Sequence, residues 1–331
     1  MTEPELFHRS GTVMGGPWQI RITPAPGLDA GAAARAGLAA LELVDRQMST
    51  YRETSDLMRL NHAPEGDWVP VPADLHAVMA EAREIARASG GALNIALGGL
   101  VNAWGFGPDP APAQIPDAAA RRARDARAAL DSYELRADPP AVRKTAPAQF
   151  DLCAIAKGFA VDQAARALRA AGATGFLVEA AGEIYASGAR PDGSPWVIGL
   201  ELPVPGKRIV YDQVALAEGG LATSGQYRNR REVAGASYGH TLSPVTGMPL
   251  DGDLLAVTVQ ADSVMRADGF ATAIFVLGET EGLALANRHR IAAQLVCYEK
   301  TGARVIASHA WAVQTAQTAQ AAAFAPTRPP A

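Results

Sequence analysis

Residues 263–278, SVMRADGFATAIFVLG, constrain this chain more than any other stretch. Val264, Ala267, Ala271, Ile274 and Phe275 recur at helical spacing. A helix this apolar around its circumference is stable only when other elements cover it. Ser263 predicts its N-cap and Gly278 its stop. Asp268 and Thr272 interrupt the apolar pattern four residues apart, so they share one face. A carboxylate and a hydroxyl converging there are two hard oxygen ligands, suited to Mg2+ more than to zinc. The same pair also suits a solvated Asp and a Thr bonded back to its own helix.

A second segment, DLCAIAKGFAVD at 151–162, reads as a strand end, a small-residue turn and a helix. The helix should run to about Ala171, with Gly172 as its stop. Ala154 and Ala156 let the backbone come close to a ligand. Lys157 lies near the helix start, where the macrodipole favours anions. That placement makes sense if the lysine and the helix N-terminus both face a phosphate. The alternative is a lysine whose stem covers apolar surface with its ammonium in water.

Residues 223–249, TSGQYRNRREVAGASYGHTLSPVTGMP, supply the third segment. Thr223, Ser224 and Gly225 read as a turn, followed by Tyr227, Arg228 and a polar hairpin. The chain returns through His240 to Ser243-Pro244 and Thr246-Gly247. Hydroxyls, an arginine, a histidine and glycines at neighbouring turns suit a phosphate-bearing ligand. They equally suit two ordinary hairpin turns punctuated by Gly and Pro.

In this order the three segments resemble the FAD:protein FMN transferase (ApbE) family, and the resemblance covers nearly the whole chain. It begins at Val13-Met14-Gly15-Gly16-Pro17-Trp18, similar to the family's opening strand. It continues through Met48 to Tyr51, Ser55 to Asn61 and Gly98 to Gly107. Asp151 to Asp162, Ala181-Gly182-Glu183-Ile184, Thr223 to Gly225, His240 to Gly247 and Asp268 to Gly278 complete it.

The resemblance implies a reaction in which FAD is cut at its pyrophosphate. AMP leaves, and FMN is joined by a phosphoester bond to a Thr or Ser hydroxyl of an acceptor flavoprotein. It implies a Mg2+ ion held by the side chains of Asp268 and Thr272 and the backbone carbonyl of Ala154. Lys157 would meet the phosphates. Met14 and Tyr51 would line the ring pockets, Asn94 would contact the nucleotide, and Leu242 would touch it through its backbone. His240 would be the general base, with an ordinary pKa near working pH. Two other outcomes suit the same site: hydrolysis of FAD to FMN and AMP, and FAD binding without chemistry.

Four positions depart from the family pattern. Asn94 and Ser243 stand where aspartate is usual, and Cys153 and Ala181 stand where glycine is usual. Ser243 would weaken His240 as a base if the usual carboxylate orients it.

The chain has 331 residues and a formal net charge of −4, and its six histidines include only one, His240, in a family motif. No basic stripe points to nucleic acid. Arg121, Arg122, Arg124 and Arg127 alternate with aspartates on an expected helix from Asp117 to Leu130, as on a solvated face. Cys153 and Cys297 read as small core residues. No secretion signal, lipobox or membrane-length apolar run is visible, so the expected location is the cytoplasm, with no membrane partner.

Helical periodicity predicts helices at Ala30–Met48 and Ala73–Ala88. Strands are expected at 18–22, 176–179, 184–186, 197–200, 255–259 and 291–298. Helices and hairpins alternate without regular βαβ units. The expected fold is therefore α+β, with helices on a largely antiparallel sheet and two intimately packed lobes around a nucleotide cleft. Residues 1–313 are expected to form one transferase-like domain and 314–331 a flexible Ala/Gln/Pro tail.

Overall fold

The computed structural model describes residues 5–112, 114–116, 131–204, 207–226, 229–233, 235–300 and 302–312. The expected helix at 117–130, its arginines and the tail lie outside these residues.

The chain opens with a hairpin of β1 (Phe7–Val13) and β2 (Gly16–Ile22). The expected opening strand at Val13–Trp18 is instead centred on the turn of this hairpin. Met14 and Gly15 both take positive φ, 50° and 73°. A two-residue turn of this hand matches the right-handed twist of the paired strands. Three helices follow: α1 (Ala30–Met48), α2 (Asp56–His62) and, after β3 (Trp68–Pro70), α3 (Ala73–Ala88). The Asp29 carboxylate caps α1 at Ala32 N, 2.8 Å, and Ser55 caps α2 at Met58 N, 3.1 Å. Next come α4 (Gly98–Ala103), β4 (Tyr133–Arg136) and β5 (Ala141–Lys144), then α5 (Ala156–Ala170).

The second half is mostly strand. It comprises β6 (Phe176–Ala180), β7 (Glu183–Ser187), β8 (Trp196–Leu202), β9 (Ile209–Leu216) and β10 (Glu218–Gly225). The polar hairpin is β11 (Arg230–Val233) and β12 (Ala236–Gly239). After β13 (Leu254–Ala261) comes α6 (Val264–Arg288), then β14 (Ala292–Glu299) and β15 (Gly302–Ala307).

Eight strands form one sheet in the order β1-β2-β6-β7-β10-β13-β14-β15, and every neighbouring pair is antiparallel. The α+β expectation holds. The main core lies between the helices and the sheet, where α6 packs on β10, β13 and α5, and α5 packs on α1. A second core gathers Trp196, Ile198, Leu200, Val214 and Leu216 of the β8–β9 hairpin against Leu177, Ala186 and Leu221 of the large sheet. The expected two lobes thus take the form of two cores sharing one sheet.

Two features of α6 correct the sequence reading. Gly278 adopts φ 78° inside it, yet the helix resumes and runs to Arg288. The stop signal acts locally, because Leu285 and Ala286 beyond it are buried and draw the chain back into helix. The 25-residue helix is also long and apolar enough to cross a bilayer, contrary to the expectation that no run is. Half of the qualifying stretch is buried inside the fold.

Candidate active site

The first turns of α5 and α6 meet backbone to backbone. A Cβ added at Gly158 would lie 2.3 Å from the carbonyl oxygen of Val264. Only glycine permits that approach. The two helices then cap each other. Ile155 precedes α5 and offers no side-chain cap. Asp268 of α6 supplies one from outside, its Oδ2 accepting from Gly158 N at 3.0 Å. Asp162 of α5 returns the interaction at the start of α6. Its carboxylate accepts from Val264 N at 2.9 Å, Met265 N at 3.0 Å and the Ser263 hydroxyl at 2.7 Å. Unpaired helix N-terminal donors and buried carboxylates satisfy one another here.

That clamp delivers Lys157 and Asp268 to the same place. The Lys157 ammonium pairs with Glu183, at the start of β7, and lies 3.4 Å from Asp268 Oδ1. The second oxygen of Glu183 accepts from Thr223 N at 3.4 Å. Glu183 is 2% exposed and Asp268 3%. Burial pushes Glu183 up to about 7 against the pull of the Lys157 ammonium. Burial likewise raises Asp268. Burial alone would lower Lys157, but the carboxylates of Asp268 and Glu183 hold it above the ordinary lysine value. Two buried carboxylates therefore face one ammonium, and the cluster has room for another positive charge. Lys157 tolerates the helix start because these carboxylates offset the dipole.

The cluster opens into a cleft of about 370 Å3. Tyr51, Asn94, Ala154, Lys157, His240, Leu242, Asp268 and Thr272 all line it, as does Ala181. Met14 is not among the lining residues. It sits in the β1–β2 turn, whose Gly16 would bring a Cβ within 2.8 Å of the Ala181 side chain. Ala181 takes φ 53° in the turn before β7, a conformation that costs an alanine more than the usual glycine.

Thr272 Oγ1 and Ser224 Oγ are hydrogen-bonded at 3.1 Å. Asp268 and Ala154 line the same cleft, so the donors on offer there are oxygens. Among the described residues no cluster of three or more His, Cys, Asp or Glu could hold a metal. The donors present fit a hard cation that keeps part of its water, and not a thiolate or imidazole site.

His240 follows β12. Its imidazole meets Phe106 edge-on, with ring centroids 6.3 Å apart. Nδ1 is buried with no hydrogen-bond partner among the described residues, and the backbone of Asn229 lies near the ring. Burial lowers its pKa below the ordinary histidine value, so the imidazole is neutral at pH 7. Tyr51 is 65% exposed at the same cleft, its hydroxyl donating to the Phe106 carbonyl at 2.9 Å. Trp104 Nε1 donates to the Gly247 carbonyl at 2.9 Å, and Arg231 donates to the carbonyls of Trp104 and Pro112. These bonds tie the 104–112 segment to the turn after His240 and to β11.

Ser243 plays a different part from the one its position suggests. Its Oγ accepts from Val245 N at 3.3 Å and Thr246 N at 3.2 Å, so it shapes that turn. Leu242 is buried and bridges to Pro249. Asn94 closes a tight turn, its side-chain carbonyl accepting from Ala96 N at 2.8 Å.

Two local readings are corrected. Thr223–Gly225 are not a turn; they end β10, paired with Ala256–Thr258 of β13. Cys297 is buried as expected, but Cys153 is exposed on the cleft wall. A hydrogen bond from Cys153 N to Asp151 Oδ1, 2.8 Å, makes a turn there that leaves the core. Tyr227 and Arg228 lie outside the described residues. The sequence reading assigned no role to Glu183, although an acidic residue opening an apolar strand was a signal.

A model of the ApbE family matches residues 14–295. The FAD:protein FMN transferase of Vibrio cholerae is 35% identical over 306 residues, covering 92% of this chain and 91% of that protein. The FAD:protein FMN transferase of Haemophilus influenzae is 36% identical over 269 residues, covering 80% and 78%. Among solved structures, the flavin transferase ApbE from Vibrio cholerae superposes with a TM-score of 0.84 at 33% identity, covering 93% of this chain and 99% of that one. The apo form of the Pseudomonas stutzeri flavinyl transferase ApbE gives 0.83 at 35%, covering 94% and 97%. With sequence and fold in agreement over nearly its whole length, the chain belongs to the ApbE family.

Proposed function

We propose that this protein transfers the FMN part of FAD to a Thr or Ser hydroxyl of an acceptor flavoprotein, with release of AMP. The observation that carries the reading is the buried Lys157–Glu183–Asp268 cluster opening into the cleft that also holds His240. A pyrophosphate brought there meets an ammonium and the N-terminal end of α5, both of which favour phosphate.

The acceptor hydroxyl gives its proton to the neutral His240 imidazole as its oxygen bonds to the FMN phosphorus. The P–O bond to the AMP phosphate breaks, and AMP leaves with the electron pair. Tyr51, at the exposed edge of the cleft, offers a ring face for stacking. Asn94 and Leu242 border the same space and would contact the nucleotide; Met14 lies in the neighbouring β1–β2 turn. Asp268, Thr272 and the Ala154 carbonyl would hold a Mg2+ ion. Bound there, it would neutralise charge developing on the phosphates.

The test is incubation with FAD and Mg2+, with and without a Thr-bearing acceptor peptide, followed by mass spectrometry. Flavin on the peptide supports transfer. Free FMN in both arms with an unlabelled peptide would replace transfer by hydrolysis, and intact FAD would leave binding alone.

A further inference from the structure

We infer that Glu183 is a positioning residue that draws the Lys157 ammonium away from Asp268, leaving Asp268 free to take a divalent cation. The inference rests on the proposed metal role of Asp268. A lysine ammonium beside a buried carboxylate is a tethered monovalent cation. It competes with any free ion for the same oxygen. Lys157 stands at the first turn of α5, which the Gly158–Asp268 bond fastens to α6, so it cannot leave the neighbourhood. What it can do is choose between two carboxylates. In the structure it bridges the two unequally, in direct contact with Glu183 and in a longer ion pair of 3.4 Å with Asp268 Oδ1.

Glu183 is well built for that task. It is 2% exposed, and its strand pairs with β6 on one side and β10 on the other, so its backbone is held. Its remaining oxygen accepts from Thr223 N. Asp268 is arranged differently. Oδ2 is engaged by Gly158 N, while Oδ1 has, among the described residues, the longer 3.4 Å contact with the Lys157 ammonium. That oxygen belongs to the same cleft as Thr272 and Ala154. Glu183 therefore acts on the cation site through Lys157, without itself being a ligand.

Replacing Glu183 by Gln keeps the shape and removes the charge. Lys157 then turns fully to Asp268, the other carboxylate it contacts, and occupies the oxygen a cation needs. Outer partners of metal ligands typically change affinity about 10- to 100-fold, and a loss at the lower end of that range is expected here.

The experiment is direct Mn2+ binding to the full-length protein, read from the electron paramagnetic resonance signal of free Mn2+, without turnover. Wild type, Glu183→Gln, Lys157→Met, the double variant and Asp268→Ala are compared, with circular dichroism melts confirming the fold. The expected result is weaker Mn2+ binding in Glu183→Gln, and no weakening when the same change is made in the Lys157→Met background. Weakening in both backgrounds would mean Glu183 attracts the ion simply by its charge, and would overturn the inference. So would unchanged binding in Glu183→Gln. Mn2+ binding that survives Asp268→Ala would overturn the metal role of Asp268 and this inference with it. Should Glu183→Gln not fold, Glu183→Asp retracts the same charge by one methylene and is expected to weaken Mn2+ binding in the wild-type background alone.

Discussion

Adding one methyl group at Gly158 should disable the site by separating two helices. A Cβ there would lie 2.3 Å from Val264 O, 2.6 Å from Val264 C and 2.8 Å from Met265 Cα. All three are backbone atoms in the first turn of α6, so no side chain can rotate aside. To reach ordinary contact, α5 and α6 must part by about 1 Å. The movement stretches the bond from Gly158 N to Asp268 Oδ2, 3.0 Å, and those from Asp162 to Val264 N and Met265 N. Glycine to alanine in a helix would gain about 1 kcal/mol by propensity. Overpacking costs about 1–3 kcal/mol, and a weakened hydrogen bond to a buried carboxylate about 1.5–3 kcal/mol. The net expectation for Gly158→Ala is a loss of about 1.5–5 kcal/mol, together with weaker divalent-ion binding as Asp268 moves. Denaturant unfolding and Mn2+ titration read the two effects separately. A variant that gains the propensity term and binds Mn2+ normally would refute the helix-to-helix contact as the organiser of the site.

Two further outcomes follow from the geometry. Because burial lowers the His240 pKa, its base form persists below the pH at which an ordinary histidine protonates. The single-turnover rate should therefore rise with pH on an acid limb lying below about pH 6.5. His240→Ala should cost roughly 100- to 10,000-fold in that rate with little change in FAD affinity, and an acid limb that survives the substitution would assign it elsewhere. Asp162→Ala removes the acceptor for one buried and one part-buried backbone N–H group and a hydroxyl, and should lower stability by about 2–4 kcal/mol. Unfolding within about 0.5 kcal/mol of wild type would show that α6 does not depend on this cap.

Much of the helical framework was legible because it is a local property. The apolar stripes at Ala30–Met48 and Ala73–Ala88 repeat at the helical period, and both helices end where the pattern ends. Strands with dense β-branched and aromatic residues, such as Phe176–Ala180 and Leu254–Ala261, were legible for the same reason. The strand Glu218–Gly225, EGGLATSG, was not. Its glycines and hydroxyls carry turn chemistry, and pairing with β7 and β13 on either side overrides it. Gly278 reads as a stop and is only a bend, because burial beyond it outweighs one unfavourable residue.

The site divides along the same line. The sequence by itself determined which chemical groups were available: the Asp268–Thr272 spacing, the lysine at the start of α5 and the histidine between two turns. Only the tertiary structure decided what those groups do to one another. Lys157 meets a carboxylate 26 residues away and another 111 away. Ser243 serves its own turn, and Cys153 faces the cleft instead of the core. A side chain's period and propensity act through its neighbours in the chain. The balance of two carboxylates against one ammonium exists only once β7, α5 and α6 exclude water around them.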